Sequence, residues 1–248
     1  MGNRFTLQQF TEIFLVRNPD GKPYVLVGGQ AVNFWAELYL AAEPALKKHM
    51  PFTSGDIDFR GNREDVRHIA DQLELTAVFP DKVSMTALAG AIPLRIGKHP
   101  SNIEVVRLIP GVPVATVDAL AVVTEFSGQQ IRVLDPISLL ACKVNLALTV
   151  SQKDRQDVEH LKILVHCVRG FLRELLREVE RNNVPAKGWL GAVNKLAKLA
   201  KSTQGRKVVE KFGVSWSDVL PLPEIAKAGN EKIVSFREKQ LAREFAIQ

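Results

Sequence analysis

Asp56 and Asp58 stand one residue apart in the run Ser54-Gly55-Asp56-Ile57-Asp58-Phe59. The alternation reads as a short strand, which points both carboxylates to one side and leaves Ile57 and Phe59 for a core. Two such charges about 4 Å apart repel by roughly 4 kcal/mol at an effective dielectric of about 20, so a converging pair calls for a cation or a raised pKa. Oxygen ligands alone suit magnesium. The same pattern also occurs on solvated strand edges, so its meaning depends on what surrounds it.

Upstream, the apolar run Tyr24 to Val27 leads directly into Gly28-Gly29, after which Ala31, Phe34, Trp35 and Leu38 recur at helical spacing. This predicts strand, glycine turn, helix. Such a turn lets a ligand approach the backbone and leaves free N–H groups of the helix aimed at phosphate oxygens; a tight turn needing positive φ is the plainer explanation. Downstream, Glu104 interrupts the otherwise apolar strand pattern Asn102-Ile103-Glu104-Val105-Val106. Beside Asp56 and Asp58 on an adjacent strand, it would complete a three-carboxylate cluster able to hold two magnesium ions. Alone, it would simply face water.

These residues in this order resemble the nucleotidyltransferase fold of the DNA polymerase β-like superfamily, whose marks are a Gly-Gly or Gly-Ser turn, an Asp-x-Asp strand and a later third carboxylate. The stretch Leu134-Asp135-Pro136, then Leu139, Leu140, Lys143 and Ala147, then Lys153-Asp154-Arg155-Gln156-Asp157 and Leu161, is similar to AbiEii-type and minimal nucleotidyltransferases of bacterial toxin–antitoxin systems. The resemblance covers roughly residues 24 to 165. It implies a nucleoside triphosphate over Gly28-Gly29, two Mg2+ ions on Asp56, Asp58 and Glu104, and transfer of a nucleoside monophosphate to an RNA or protein acceptor. Lys143, Lys153 and Arg155 become candidates to neutralise the phosphates, and a cognate toxin or antitoxin becomes a possible partner. A binding or regulatory module that kept the fold without turnover is the rival, and the two separate on whether Glu104 points toward Asp56 and Asp58.

Departures from the pattern bear on the site. Gln30 follows Gly29, where relatives carry a small hydroxyl residue able to bond a phosphate. Ser54 keeps the hydroxyl position before Asp56, yet the basic residue that commonly precedes it is absent, with Lys47, Lys48 and His49 the nearest substitutes. The 27 positions from Gly29 to Asp56 exceed the usual spacing, the excess lying in Ala41 to Phe52, a candidate lid or partner surface.

The 248 residues, 46% hydrophobic and 24% charged, are enough for one large or two smaller domains, with a nucleotidyltransferase-like core over 1–135 and a helical basic domain over 136–248 expected. The fold class expected is α+β: a mixed β-sheet flanked by helices, then an all-helical C-terminal part. Leu7, Phe10, Ile13 and Phe14 predict a short helix capped by Thr6; Val66, Ile69, Ala70 and Leu73 predict another. Ile92, Leu94 and Ile96 alternate as a strand. Residues 1–150 carry 14 Lys and Arg against 15 Asp and Glu, whereas residues 151–248 carry 19 against 12, so the basic excess is all C-terminal. There Val158 to Leu175 and Trp189 to Leu199 form apolar helical stripes, broken at Asn182-Pro185, around Gly205, at Leu220-Pro223 and at Gly229-Asn230. Lys195, Lys198 and Lys201, or Arg169, Arg173 and Arg177, could track nucleic-acid phosphates, although Glu174 and Glu178 beside the arginines also suit a solvated face. Cys142 and Cys167 are expected as buried free thiols, and the five His show no metal-site pairing. No apolar run long enough for a membrane or a signal peptide is found, so cytoplasmic residence is expected; Met1-Gly2-Asn3-Arg4-Phe5-Thr6 matches a myristoylation signal too briefly to count.

Overall fold

The structure, a computed structural model, describes residues 3–81, 83 and 85–245, so Met1 and Gly2 of the brief myristoylation match lie outside the described residues. A mixed sheet of six strands has the order β3-β4-β2-β1-β6-β5, with β1 at Val25–Val27, β2 at Ile57–Arg60, β3 at Leu88–Ile96, β4 at His99–Val106, β5 at Ala121–Phe126 and β6 at Gln129–Leu134. The expected α+β class is borne out: helices flank this sheet, and everything from Pro136 onward is helical or connecting.

The alternation in β2 and β4 sets the two faces of the sheet. Parallel pairing places Ile57 beside Ile103 and Phe59 beside Val105, all four buried, and by the same register places Asp58 beside Glu104 on the opposite face. Helix α1 (Gly28–Tyr39) leaves the end of β1 directly, and α2 (Arg63–Gln72) follows β2 behind a capping box of Asn62 and Asp65. The apolar side of α2 packs on β3 and β4.

Two expectations need correction here. The N-terminal amphipathic segment is a 3-10 helix, Leu7–Leu15, with Thr6 and Gln9 forming its capping box, and buries Leu7, Phe10 and Phe14. No strand is predicted between Leu108 and Leu134, yet β5 and β6 form a hairpin there through Ser127-Gly128, both at positive φ (51° and 77°) as the strand twist demands of a two-residue turn.

Asp135 caps α4 (Pro136–Thr149) by accepting from Ile137 N and Ser138 N at 3.0 Å, with Pro136 in the first turn, where its missing N–H costs nothing. The 24-residue α5 (Asp157–Glu180) buries Leu161, Leu164, Val165, Val168 and Leu172 against α4 and α1, so one continuous apolar core runs from Phe5 through the sheet into the C-terminal helices. Helices α6 (Ala186–Lys201) and α7 (Thr203–Phe212) follow. Gly205 is no breaker: it lies in the first turn of α7, pressed on the Leu199 carbonyl, and the chain turns at Ser202, which caps α7.

The inserted stretch 41–52 is clamped rather than loose. Its 3-10 helix Pro44–His49 lies on α5, where Glu43, 2% exposed, pairs with Arg169 and Arg173, and His49 Nδ1 meets Glu159 Oε1 at 2.6 Å. Arg173 also binds Glu224, so Arg169 and Arg173 are committed to internal ion pairs and not to a phosphate-tracking stripe. Lys195, Lys198 and Lys201 are exposed on α6. Both cysteines are free and buried, which pushes the Cys142 thiol up to about 11. Among the described residues, no helix is long and apolar enough to cross a membrane.

Candidate functional site

Asp58 is held by the glycine turn. Gly28 adopts φ +66°, and a Cβ placed on it would run into the Asp58 carboxylate, so only glycine admits that side chain. The backbone N–H of Gly29, in the first turn of α1, favours the charged form of the same carboxylate. Gly29 is equally confined: a Cβ there would strike Ser54 Oγ and come within 3.0 Å of His160 Cε1. The double glycine therefore brings α1, β2, Ser54 and α5 together at one corner.

That corner opens into a cleft of about 1220 Å³. Of the residues singled out from sequence, Gly28, Gly29, Ser54, Asp56, Asp58, Glu104, Lys143 and Arg155 line it. Two do not. Gln30 turns into the core, fully buried, its amide donating to the Phe5 carbonyl at 3.0 Å and accepting from Asn33, because position 30 falls on the inward face of α1. Lys153 sits exposed in the loop before α5, where a long cation keeps its hydration. Lys47, Lys48 and His49 also stay outside the cleft, on the clamped insertion.

The three carboxylates sense one another. Burial pushes Asp58 up to about 6, and the Asp56 charge adds to this while Lys143, the Gly29 N–H and Arg155 oppose it. Glu104 rises to about 7 through burial and then through repulsion by Asp58 and Asp56. Asp56 is raised by burial as well, moderated by Asn102, whose amide donates to its Oδ1 at 3.2 Å. As the side chains stand, no group of three or more His, Cys, Asp or Glu among the described residues is gathered tightly enough to hold a metal ion. The donor set itself, all oxygen and crowded with negative charge, has the chemistry of a hard-cation site.

Facing the acids is a cationic wall that sequence reading only half found. Lys143, 5% exposed, donates from Nζ to Asp157 Oδ1 at 2.8 Å, and Arg155 Nε donates to Asp157 Oδ2 at 2.6 Å. Burial opposes ionisation of Asp157, but Lys143 and Arg155 hold its carboxyl below the usual range. The sequence marks Asp157 only as part of a segment; its signal is Lys143 itself, a cation within an apolar helix that needs a buried partner.

Local sequence pattern marks none of His160, Asn102 and Arg4. His160 has both ring nitrogens buried with no hydrogen-bond partner among the described residues, a state costing about 1–3 kcal/mol. Burial and then the nearby Lys143 hold its imidazole well below the usual range, hence neutral at pH 7. Arg4 reaches the cleft because Phe5 and Ser54 exchange backbone hydrogen bonds of 2.8 and 2.9 Å, an antiparallel bridge invisible to sequence periodicity.

No family model matches this chain, and no curated protein does. Among solved structures it matches the crystal structure of an antigenic nucleotidyltransferase-like protein from Paracoccidioides brasiliensis, at 14% identity over 79% of this chain and 83% of that one, with a TM-score of 0.41. The chain is thus similar, distantly, to a protein of nucleotidyltransferase-like fold.

Proposed function

We propose that this protein is a magnesium-dependent nucleotidyltransferase that moves a nucleoside monophosphate from a triphosphate to a hydroxyl of an RNA or protein acceptor. The observation that carries the reading is the register of β2 and β4, which sets Glu104 beside Asp58 on one face, within reach of the Asp56 charge, while Gly28 closes on Asp58. Its supporting observation is electrostatic: Asp58 and Glu104 are pushed up to about 6 and about 7 by burial and mutual repulsion, as carboxylates awaiting a cation are.

In this reading Asp56, Asp58 and Glu104 hold magnesium, which when bound draws charge from the phosphate oxygens and the attacking hydroxyl. The chain's own groups do the positioning. Gly28-Gly29 lets the phosphates approach the backbone, Lys143 and Arg155 meet their negative charge, and Asn102 fixes the Asp56 carboxylate. The acceptor oxygen bonds to the α-phosphorus as the bond from that phosphorus to the α–β bridging oxygen breaks, pyrophosphate leaves with that oxygen, and the hydroxyl proton passes to water.

Incubation with labelled triphosphates, magnesium and total RNA or lysate tests this. Label should pass to an acceptor with the native chain and not with Asp56→Ala/Asp58→Ala; transfer that survives the double substitution removes these residues from the chemistry.

The carboxylates not being gathered around one point favours a second reading, a nucleotide-binding or regulatory module without turnover. It predicts triphosphate binding with no label transfer. Membership in a toxin–antitoxin pair, with a cognate protein partner, rests on the resemblance of the segment from Leu134 to Leu161 alone.

A further inference from the structure

We infer that Arg4 and His160 form the end wall of the phosphate site and read the terminal phosphate of a triphosphate chain. This assignment rests on the nucleotide reading above and adds to it the residues that measure chain length.

Three observations meet at that corner. Helix α1, 12 residues long, begins at Gly28-Gly29, both of which line the cleft, with the unpaired N–H groups of its first turn. His160 lines the same corner, 4% exposed, with neither ring nitrogen bonded among the described residues and Cε1 3.0 Å from where a Gly29 Cβ would lie. The Phe5–Ser54 bridge brings Arg4 to the cleft beside Ser54, where the chain has no basic residue of its own.

The surroundings leave the imidazole without another task. Asp157, the acid whose charge acts on it, is already taken by Lys143 and Arg155, and Glu159, its neighbour in the chain, meets His49. A neutral ring adds no charge beside those cations yet keeps one N–H to donate. A terminal phosphate carries more exposed oxygens than the inner two, so it gains most from an extra donor and an Arg fork. Lys143 and Arg155 then meet the inner phosphates, and Arg4 with His160 the outer one.

Inorganic tripolyphosphate and pyrophosphate, each titrated calorimetrically with magnesium into the full chain, avoid any need to know the base. The native protein should prefer tripolyphosphate. Arg4→Gln, at an exposed position, and His160→Leu should each weaken tripolyphosphate by about 10- to 100-fold, the worth of a hydrogen bond to a charged group, with pyrophosphate nearly unchanged. His160→Gln, which restores a donor, should recover part of the loss. A purely structural His160 predicts the opposite: the apolar leucine leaves binding alone and raises stability. Equal affinity for the two probes, or variants that bind tripolyphosphate like the native chain, overturns the assignment. Should those variants also keep native label transfer, the nucleotidyltransferase reading stands while this inference falls; loss of all phosphate binding and all transfer in the native chain removes both.

Discussion

Glu104→Gln isolates the electrostatic strain of the acidic face. The Glu104 carboxyl is raised from 4.5 to about 7 by burial and by its neighbours Asp58 and Asp56, so the folded chain holds this proton more tightly than the unfolded one. The stabilisation from that proton is fully present below about pH 4.5 and is lost as pH rises through about 7. The difference is worth about 3 kcal/mol, which solvent around a half-buried group reduces toward about 2 kcal/mol. Gln is neutral throughout, so the variant should be more stable than the native chain by about 2 kcal/mol at pH 8 and nearly equal to it at pH 4.5. Urea unfolding in metal-free buffer, followed through the buried Trp35 and Trp189, measures this directly. Added magnesium should then stabilise the native chain at pH 8 more than the variant. A gain of the same size at both pH values, or a variant weaker at pH 8, would show that the three carboxylates do not repel one another as described.

Gly28→Ala forces a Cβ into the left-handed region and onto the Asp58 carboxylate, so a loss of at least 1–2 kcal/mol in urea unfolding is expected, roughly the left-handed cost alone, together with loss of label transfer. Lys143→Met strips a buried partner from Asp157 and should cost about 3–5 kcal/mol, whereas Lys143→Met/Asp157→Leu should recover most of it in the same assay. Glu43→Gln leaves Arg169 and Arg173 short of their shared acid; a cost of about 3 kcal/mol is expected, with faster proteolysis within residues 41–52.

The strands bearing Asp58 and Glu104 were legible because their patterns alternate cleanly, one polar position between buried neighbours. The order along the chain then suggested that they pair. The β5–β6 hairpin was not, since Val122 to Phe126 shows no strict alternation and its exposed Val123 blurs the two faces. At the site, local pattern revealed what a segment supplies by itself: a turn, an acid, a cation in an apolar helix. It could not reveal Arg4, Asn102 or His160, whose roles exist only through partners 46 or more positions away. Gln30 failed for the complementary reason, as a polar residue next to a glycine turn looks available until its helix face is known.

The cleft draws its walls from widely separated parts of the chain: Arg4 near the start, Gly28 and Asp58 after it, Glu104 in the middle, and Lys143 and Asp157 on two helices beyond the last strand. Moreover β1 cannot complete its parallel pairing until β6 is available, since Val25 lies opposite Arg132. During synthesis, then, the acids are made well before the cations that balance them, and a nascent chain ending at residue 135 carries the repulsion without its remedy. Ribosome-bound intermediates of that length should be inert toward triphosphates, and assembly of a competent site should come as one late event, when the start of α5 has left the exit tunnel.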